Sequence, residues 1–507
     1  MPSSEHTKFH TGALLCLILI VAFFVRIISF TGYQGSDDGV YAKFAHQMAN
    51  GNFKINTGHN VPVFSLRVGL FAPAALCLRV FGTSEWAAII YPFALSMLGV
   101  VLAFFAGGLF WDLNAGLVAA ALQAILPLDA QLASLLLPDL PAGFWANLAL
   151  VLIFYASRSS SICSKIICAG ISGLALAASW LCKESVCYLL PFLVVYLIWI
   201  ACHNKQNIII MFATGLTFLA VVFIESFVYY QNSGDWLHRF HETERNYHVC
   251  KGWFFTEGSK YGWTGDGYYI AVIKRLFVSG PRKIFLTEFF GPFMILGIVA
   301  IGYAVMKRVR TFIFPGVWFL FIVAMFNFGS SSIVSYRPLV LNNRYLYPIL
   351  FPGLILSAGF ICDLFHSQKT GIAAFYRRRQ LWVVLLFLGS CAACTLGIYK
   401  NIKAAQPYKA MRSIAQQLTP DDVVFTDSST TKLLDFYWKY PPQSKTMDFA
   451  GMDAADIPKG AYVFINRIKA DFLNKTYGYV LPKFYDNLPA RWQLKLLQGK
   501  GELYWVP

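Results

Sequence analysis

The chain has 507 residues, of which 57% are hydrophobic, 17% aromatic and only 13% charged. That balance excludes a soluble globular enzyme and fits a protein that lives in a bilayer. The formal net charge of +16 does not point to nucleic acid, because Lys and Arg are dispersed among loops between apolar runs.

Apolar runs predict helices near 11–31, 86–110, 113–131, 140–157, 166–182, 185–202, 207–230, 284–306, 311–328, 344–364 and 381–398. These are about eleven segments of the length a bilayer requires. The first carries Arg26 near its far end with no small-residue cleavage pattern after it, so it reads as a retained helix rather than a signal peptide.

Just outside that helix stands Gly35-Ser36-Asp37-Asp38-Gly39-Val40-Tyr41. An acidic pair is expensive at a membrane edge and is therefore a functional candidate. The helix it opens, 38–50, puts Val40, Tyr41, Phe44, Ala45 and Met48 on one face. Lys43, Gln47 and Asn50 lie opposite, and Gly51 closes it. Ser36, Asp37 or Asp38 can equally be a helix cap.

The run 63–81 is apolar but interrupted by Arg67, Pro73 and Arg79. We read it as an interfacial or re-entrant helix on the outer side, since a twelfth span would move every later loop to the other side. With that parity Lys8, Arg158, Lys165, Lys205, Lys307, Arg308, Arg310, Lys369 and Arg377 to Arg379 all face inward, as the positive-inside rule requires.

The outer side then gathers four other features. Asp139, in Leu137-Pro138-Asp139-Leu140-Pro141, is a helix cap or a site carboxylate. Lys183-Glu184 is a tight-turn ion pair or part of a site. The loop 231–283 holds Trp236, Trp253, Tyr261, Trp263, Tyr268 and Tyr269, which suit either sugar stacking or an interfacial belt. Arg344 opens Arg344-Tyr345-Leu346-Tyr347-Pro348, and its guanidinium either snorkels or binds an anionic headgroup.

Beyond about residue 399 the composition changes. A strand is predicted within 421–427, a helix over 431–440, further strands at 461–465 and 503–506, and a hairpin turn at Gly499-Lys500-Gly501. The fold class is thus an all-α polytopic membrane protein (1–398) with a small C-terminal α/β soluble domain (399–507) on the outer side. The 11 cysteines mostly lie in apolar runs and form no disulfide framework. Cys391 and Cys394 have CxxC spacing, but inside a predicted span. No internal repeat is evident, which disfavours an inverted-repeat transporter.

Two carboxylates, a Lys and an Arg on one rim are what a lipid-phosphate donor and a hydroxyl acceptor need. The chain resembles the polyprenyl-phosphate-sugar-dependent glycosyltransferases of the C-type membrane superfamily. The likeness is closest to the branch of protein mannosyltransferases, aminoarabinose transferases and lipopolysaccharide galacturonosyl transferases.

Asp37-Asp38-Gly39-Val40-Tyr41 is similar to that family's Asp-Glu-x-x-Tyr motif, followed by its Ala-x-x-Met-x-x-Gly pattern at Ala45, Met48 and Gly51. Val80-Phe81-Gly82-Thr83-Ser84, the Asp139-x-Pro turn, the Lys183 turn and Arg344-Tyr345-Leu346-Tyr347-Pro348 match in order. The chain departs at Asp38, where Glu is usual, and at Asn56, His59 and Asn60, where a further acidic residue often stands. It has no Trp-Trp-Asp motif, which argues against an oligosaccharyltransferase.

The resemblance implies an inverting transferase in the bacterial inner (plasma) membrane, with a cytoplasmic N-terminus and a periplasmic C-terminal domain. It would move a sugar from a polyprenyl-phosphate carrier to a lipid, glycan or protein acceptor, with no metal and no cofactor. It implies Asp37 as general base and Asp139 as a catalytic carboxylate that orients sugar or acceptor. Lys183, Arg344 and Tyr345 would hold the donor phosphate, and Asp38, Tyr41 and His59 would contact acceptor or sugar. The competing expectation is a transporter or flippase of lipid-linked sugar.

Overall fold

The computed structural model describes residues 3–55, 62–249, 266–287, 290–330, 336, 338–339, 341–366, 388–389, 391–403, 408, 411–441 and 443–507. Seven of its helices are long and apolar enough to cross a membrane. They include α1 (Ser3–Ile28), α4 (Glu85–Phe110), α7 (Asp139–Arg158), α8 (Ile162–Cys182) and α10 (Ile208–Ser233), joined later by α15 (Ile313–Phe328) and α16 (Tyr347–His366). Large apolar side chains stand exposed along α1 and α10, among them Leu17, Phe24, Leu216 and Phe223, a surface suited to hydrocarbon rather than water.

Several expected spans are shorter or broken for local reasons. The segment expected at 113–131 divides into α5 (Leu113–Ala124) and α6 (Pro127–Leu132), parted at Pro127, whose missing N–H is tolerated at a helix start. The helix expected from 185 begins instead as α9 (Leu190–His203), after a 3₁₀ turn over Glu184–Tyr188. After α12 (Asp266–Lys274), the one expected from 284 is α13 (Gly280–Phe285) followed by α14 (Gly291–Lys307). Of the last expected span, 388–389 and 391–403 are described, and they are helical.

Helix starts follow capping chemistry. Ser84 accepts from the Ala87 N–H at the head of α4, and Asp112 from the Ala115 N–H at the head of α5. Residues 63–81 form a 3₁₀ turn, Pro62–Leu66, and then α3 (Val68–Phe81). At 14 residues α3 is about 21 Å long, short of a hydrocarbon core of about 30 Å. It packs on α4, on α8 and on α2 (Asp37–Ala49).

At the centre α16 packs against α4, α5, α7, α14 and α15. Its first turn is fixed by a buried polar knot. Asp129 of α6 takes an ion pair from Arg26 (2.6 Å), hydrogen bonds from Gln123 (2.7 Å) and the Tyr347 hydroxyl (2.5 Å), and another from Ser96. An ion pair this deep stands only because every oxygen is satisfied. Gly143 of α7 lets Tyr347 approach, since a Cβ there would lie 2.5 Å from the ring.

The C-terminal part is a five-stranded sheet of β1 (Val424–Thr426), β2 (Thr446–Asp448), β3 (Tyr462–Asn466), β4 (Gln493–Gln498) and β5 (Gly501–Trp505). The order is β2-β1-β3-β5-β4, with β2, β1 and β3 parallel and β5 antiparallel to β3 and β4. Helices α17 (Ser428–Tyr437) and α18 (Arg467–Tyr477) follow β1 and β3.

This part is docked on the loop before α2. Tyr33 stacks on Phe436 with ring centroids 4.2 Å apart, and Ser429 Oγ donates to the Gly35 carbonyl at 2.8 Å. Glu85 receives Arg412 at 3.1 Å and the Tyr437 hydroxyl at 2.6 Å. Leu433, Phe436, Met411 and Ile414 share one apolar cluster with Tyr33, Tyr41 and Leu70. Gly35 has a positive φ of 66°, and a Cβ on it would strike the Ser429 carbonyl at 2.5 Å, so close docking requires glycine.

Candidate active site

Five elements bring charged side chains to one end of the bundle: the first turns of α2 and α7, the last residue before α9's leading turn, the N-cap of α3, and the 3₁₀ turn Asn343–Leu346 that leads into α16. The basic ends of α7 and α14, at Arg158 and Lys307, lie at the far ends of their helices.

Arg344 Nη2 donates to Asp37 Oδ2 at 2.6 Å, and both side chains remain open, at 26% and 28% exposure. Behind them Lys183 Nζ donates to Asp139 Oδ1 at 2.5 Å, with Asp139 only 2% exposed. Arg344 Nε and Asp139 Oδ2 face each other across 3.9 Å, and neither atom has a hydrogen-bond partner among the described residues. A spare donor and a spare acceptor therefore meet at the floor of the site.

The Tyr345 ring gathers both cations, with Lys183 Nζ 3.9 Å and the Arg344 guanidinium 5.1 Å from its centroid, and its hydroxyl accepts from Arg344 at 3.3 Å. Of the residues expected to hold the donor phosphate and to catalyse, Asp37, Asp139, Lys183, Arg344 and Tyr345 form one cluster.

Burial alone would raise the pKa of Asp37. The adjacent Arg344, aided by Arg67 and Lys432, instead holds it below the ordinary carboxylate value, so Asp37 is ionised and shielded at neutral pH. Neither Asp37 nor Ser36 caps α2, since no side-chain capping bond forms there.

Two residues expected to contact acceptor or sugar are buried among protein groups, and a third lies outside the described residues. Asp38, expected to touch acceptor or sugar, is buried and accepts from the backbone N–H groups of Gln34 (2.6 Å), Ser36 (2.7 Å) and Gly39 (3.1 Å). Burial raises its pKa, opposed by those N–H groups and by Lys469. It braces the loop rather than a ligand. Tyr41 is fully buried, and its hydroxyl accepts from Arg67 Nη1, so it too supports the site from behind. His59 lies outside the described residues.

Lys183 and Glu184 do not pair with each other. Glu184 instead takes Arg67 at 3.1 Å, joining α3 to the site. Arg67, the arginine that interrupts the apolar run 63–81, was not expected at this cluster, whereas Glu184 was read in sequence only as the neighbour of Lys183. Arg67 is positioned in turn by a buried clamp. Arg239, in α11 (His238–Val249), pairs with Glu225 at 2.6 Å and donates to the carbonyls of Leu66 (2.6 Å) and Trp180 (3.1 Å).

Of the loop aromatics, Trp236 is exposed and stacks on Tyr230 (4.8 Å) of α10, and Tyr269 is exposed. Exposed rings of this kind suit an interfacial belt and a sugar face alike. Trp253, Tyr261 and Trp263 lie outside the described residues. Among the described residues no group of His, Cys, Asp and Glu is arranged to hold a metal ion.

The fold has solved counterparts. Across 96% of this chain and 97% of the other, it superposes on ArnT from Cupriavidus metallidurans, solved bound to undecaprenyl phosphate, with a TM-score of 0.53 and 15% identity. Across 94% of this chain and 72% of the other, it superposes on the oligosaccharyltransferase AglB from Archaeoglobus fulgidus, solved with an inhibitory peptide and a dolichol-phosphate. The TM-score there is 0.58 and the identity 13%. No protein-family model matches the chain, and no curated protein matches it in sequence. The chain thus shares its fold with these two proteins, and its own architecture is a helical bundle, with seven helices long and apolar enough to cross a membrane, carrying a small C-terminal sheet.

Proposed function

We propose that the chain is an inverting glycosyltransferase that moves a sugar from a polyprenyl-phosphate carrier to a lipid, glycan or protein acceptor at the outer face of the membrane. The observation that carries this reading is the Asp37–Arg344 ion pair, half open and backed by Asp139 and Lys183 at the ends of membrane helices. That solved proteins of the same fold hold undecaprenyl phosphate and dolichol-phosphate supports the choice of donor.

In the proposed reaction the acceptor hydroxyl attacks the anomeric carbon as the bond from that carbon to the phosphate oxygen breaks. Asp37 takes the hydroxyl proton, and the lipid phosphate leaves with its negative charge. Arg344 and Lys183 stabilise that charge, with Tyr345 holding both cations in place. Without donor, each cation is neutralised by a carboxylate. An arriving phosphate would compete for Arg344 and free Asp37, raising its basicity when the donor is in place.

Asp139 would keep Lys183 in position and offer its unpartnered oxygen to the sugar or acceptor. The basic ends of α7 and α14 opposite the site support an orientation with the site and the C-terminal part (399–507) periplasmic and the N-terminus cytoplasmic, in a bacterial inner membrane. The site charges gather at helix ends rather than along a path between two faces, which favours transfer over transport.

The test is release of polyprenyl phosphate from a polyprenyl-phosphate sugar by the purified protein in detergent. Wild type should release it and Asp37→Asn should not. Binding of the donor without any release, by an intact protein supplied with acceptor extract, would favour the transporter reading.

A further inference from the structure

Tyr347 is buried and pinned at both ends. Its ring lies on the backbone of α7, where a Cβ at Gly143 would come within 2.5 Å of Cδ1 and 2.8 Å of Cε1. Its hydroxyl donates to Asp129 Oδ2 at 2.5 Å. Asp129 is not free to follow a shift of the ring. Gln123 of α5 holds the same oxygen at 2.7 Å, and Arg26 of α1 (2.6 Å) and Ser96 of α4 hold the other. Arg26 is itself tied to Ser96 at 2.6 Å and to the Ala124 carbonyl at 2.9 Å.

The two ends of Tyr347 bear on two elements of the proposed site. Tyr347 is the first residue of α16 and follows directly on the 3₁₀ turn Asn343–Leu346, which carries Arg344 and Tyr345. Gly143 stands one turn along α7 from Asp139, about 6 Å by helix rise. The ring therefore seats the turn bearing Arg344 against the helix bearing Asp139. Arg344 Nε and Asp139 Oδ2 face each other across 3.9 Å, and neither has a hydrogen-bond partner among the described residues. Their spacing is thus set by how the two elements are seated.

We propose that Tyr347 is a positioning residue for the transfer, its hydroxyl bond to Asp129 fixing where Arg344 stands against Asp37 and Asp139. The inference rests on the glycosyl-transfer reading and adds to it a control of geometry from inside the bundle, through a carboxylate with no exposed surface. Without that bond the ring still fills its seat on Gly143, but the turn before α16 gains freedom. A misplacement of reacting groups by about 1 Å can cost about 10²-fold in rate.

The pH profile makes the effect specific. The charges that act on Asp37 are Arg344, Arg67 at the head of α3, Lys432 of α17 and Lys469 of α18, with Asp38 and Tyr41 on its own helix. Of these, only Arg344 is carried by the turn next to Tyr347. Burial pushes the Asp37 pKa up and Arg344 holds it down, so a loosened Arg344 lets it rise.

The test is Tyr347→Phe, assayed as polyprenyl-phosphate release by the purified full-length protein across pH. Its kcat/KM should fall by about tenfold or more, and its acid limb should move to higher pH. In an Arg344→Gln background the same substitution should add almost nothing to either reading, because the group it positions is gone. Ser96→Ala, which weakens the knot at the other carboxylate oxygen, should lower the melting temperature and leave the acid limb in place. Gly143→Ala, which pushes the ring from its other side, should shift the limb as Tyr347→Phe does, and it decides the matter should Tyr347→Phe not fold.

The proposal is overturned if a folded Tyr347→Phe keeps the wild-type acid limb, if its loss adds in full to that of Arg344→Gln, or if Ser96→Ala moves the limb as far. Those three outcomes sink the positioning role alone. A wild type that releases no polyprenyl phosphate sinks the glycosyl-transfer reading and this role with it.

Discussion

Arg344 is the residue on which the proposed chemistry turns, and replacing it with lysine separates charge from geometry. Its guanidinium reaches Asp37 and Tyr345 through one nitrogen while Nε remains without a partner, so two donors are available to a phosphate along one edge of the fork. Lysine keeps the charge but offers a single point of contact. A hydrogen bond to a charged group contributes about 1.5–3 kcal/mol, so losing one of two should lower kcat/KM by about 10–150-fold.

Arg344→Gln removes the charge as well, and here pH supplies a second readout. Burial still raises the Asp37 pKa, but its main opposing cation is gone, so the carboxyl pKa rises. The acid limb of the kcat/KM profile should therefore move to higher pH than in wild type. The assay is donor turnover by purified variants whose melting curves match wild type. Wild-type kcat and KM for Arg344→Lys would refute phosphate binding and leave a snorkelling arginine. An acid limb that stays put in Arg344→Gln would refute the coupling to Asp37.

Asp37→Asn should keep the fold and lose about 10²–10⁴-fold in kcat, measured in the same assay. Asp38→Asn should act on stability instead. Leaving one or more of its three backbone N–H partners unsatisfied should cost about 1–3 kcal/mol, seen as a lower melting temperature with near-normal kcat in the folded fraction. Glu225→Gln should loosen the Arg239 clamp and destabilise the protein by about 3 kcal/mol or more, because a buried guanidinium loses its counter-charge. A cysteine at exposed Lys459, in a cysteine-depleted background, should react with an impermeant reagent in spheroplasts, and protection there would reverse the proposed topology.

The sequence made some features legible because their signals are local. Apolar length exposed the spans, and the strands at β1, β3 and β5 announced themselves by apolar runs beside Asp and Gly turns. Strands β2 and β4 did not, because Thr446-Met447-Asp448 is too short to show a period and Gln493–Gln498 at the sheet edge is mostly exposed. Asp37, Asp139, Lys183 and Arg344 were visible as charges out of place.

What no local pattern could give was their pairing. That Glu184 takes Arg67 rather than Lys183, and that Tyr41 turns inward, follows from how α3 packs on α2 and α8. The backbone contacts of Asp38 were not legible either, because a carboxylate bracing backbone N–H groups looks, in sequence, the same as one facing a substrate.

The docking of the C-terminal sheet has a consequence for how the protein is made. Ser429 meets Gly35 across 394 positions of chain, and Tyr437 meets Glu85 across 352. At about 5–20 residues per second, a ribosome needs roughly 20–80 s between emitting the first partner and the second. For that interval the loop before α2 lacks its cover, and Tyr33 has no ring to stack on. The helix carrying Asp37 therefore reaches its final setting only after nearly the whole polypeptide has been inserted. A nascent or truncated chain would hold its spans yet lack the contacts that seat the loop before α2.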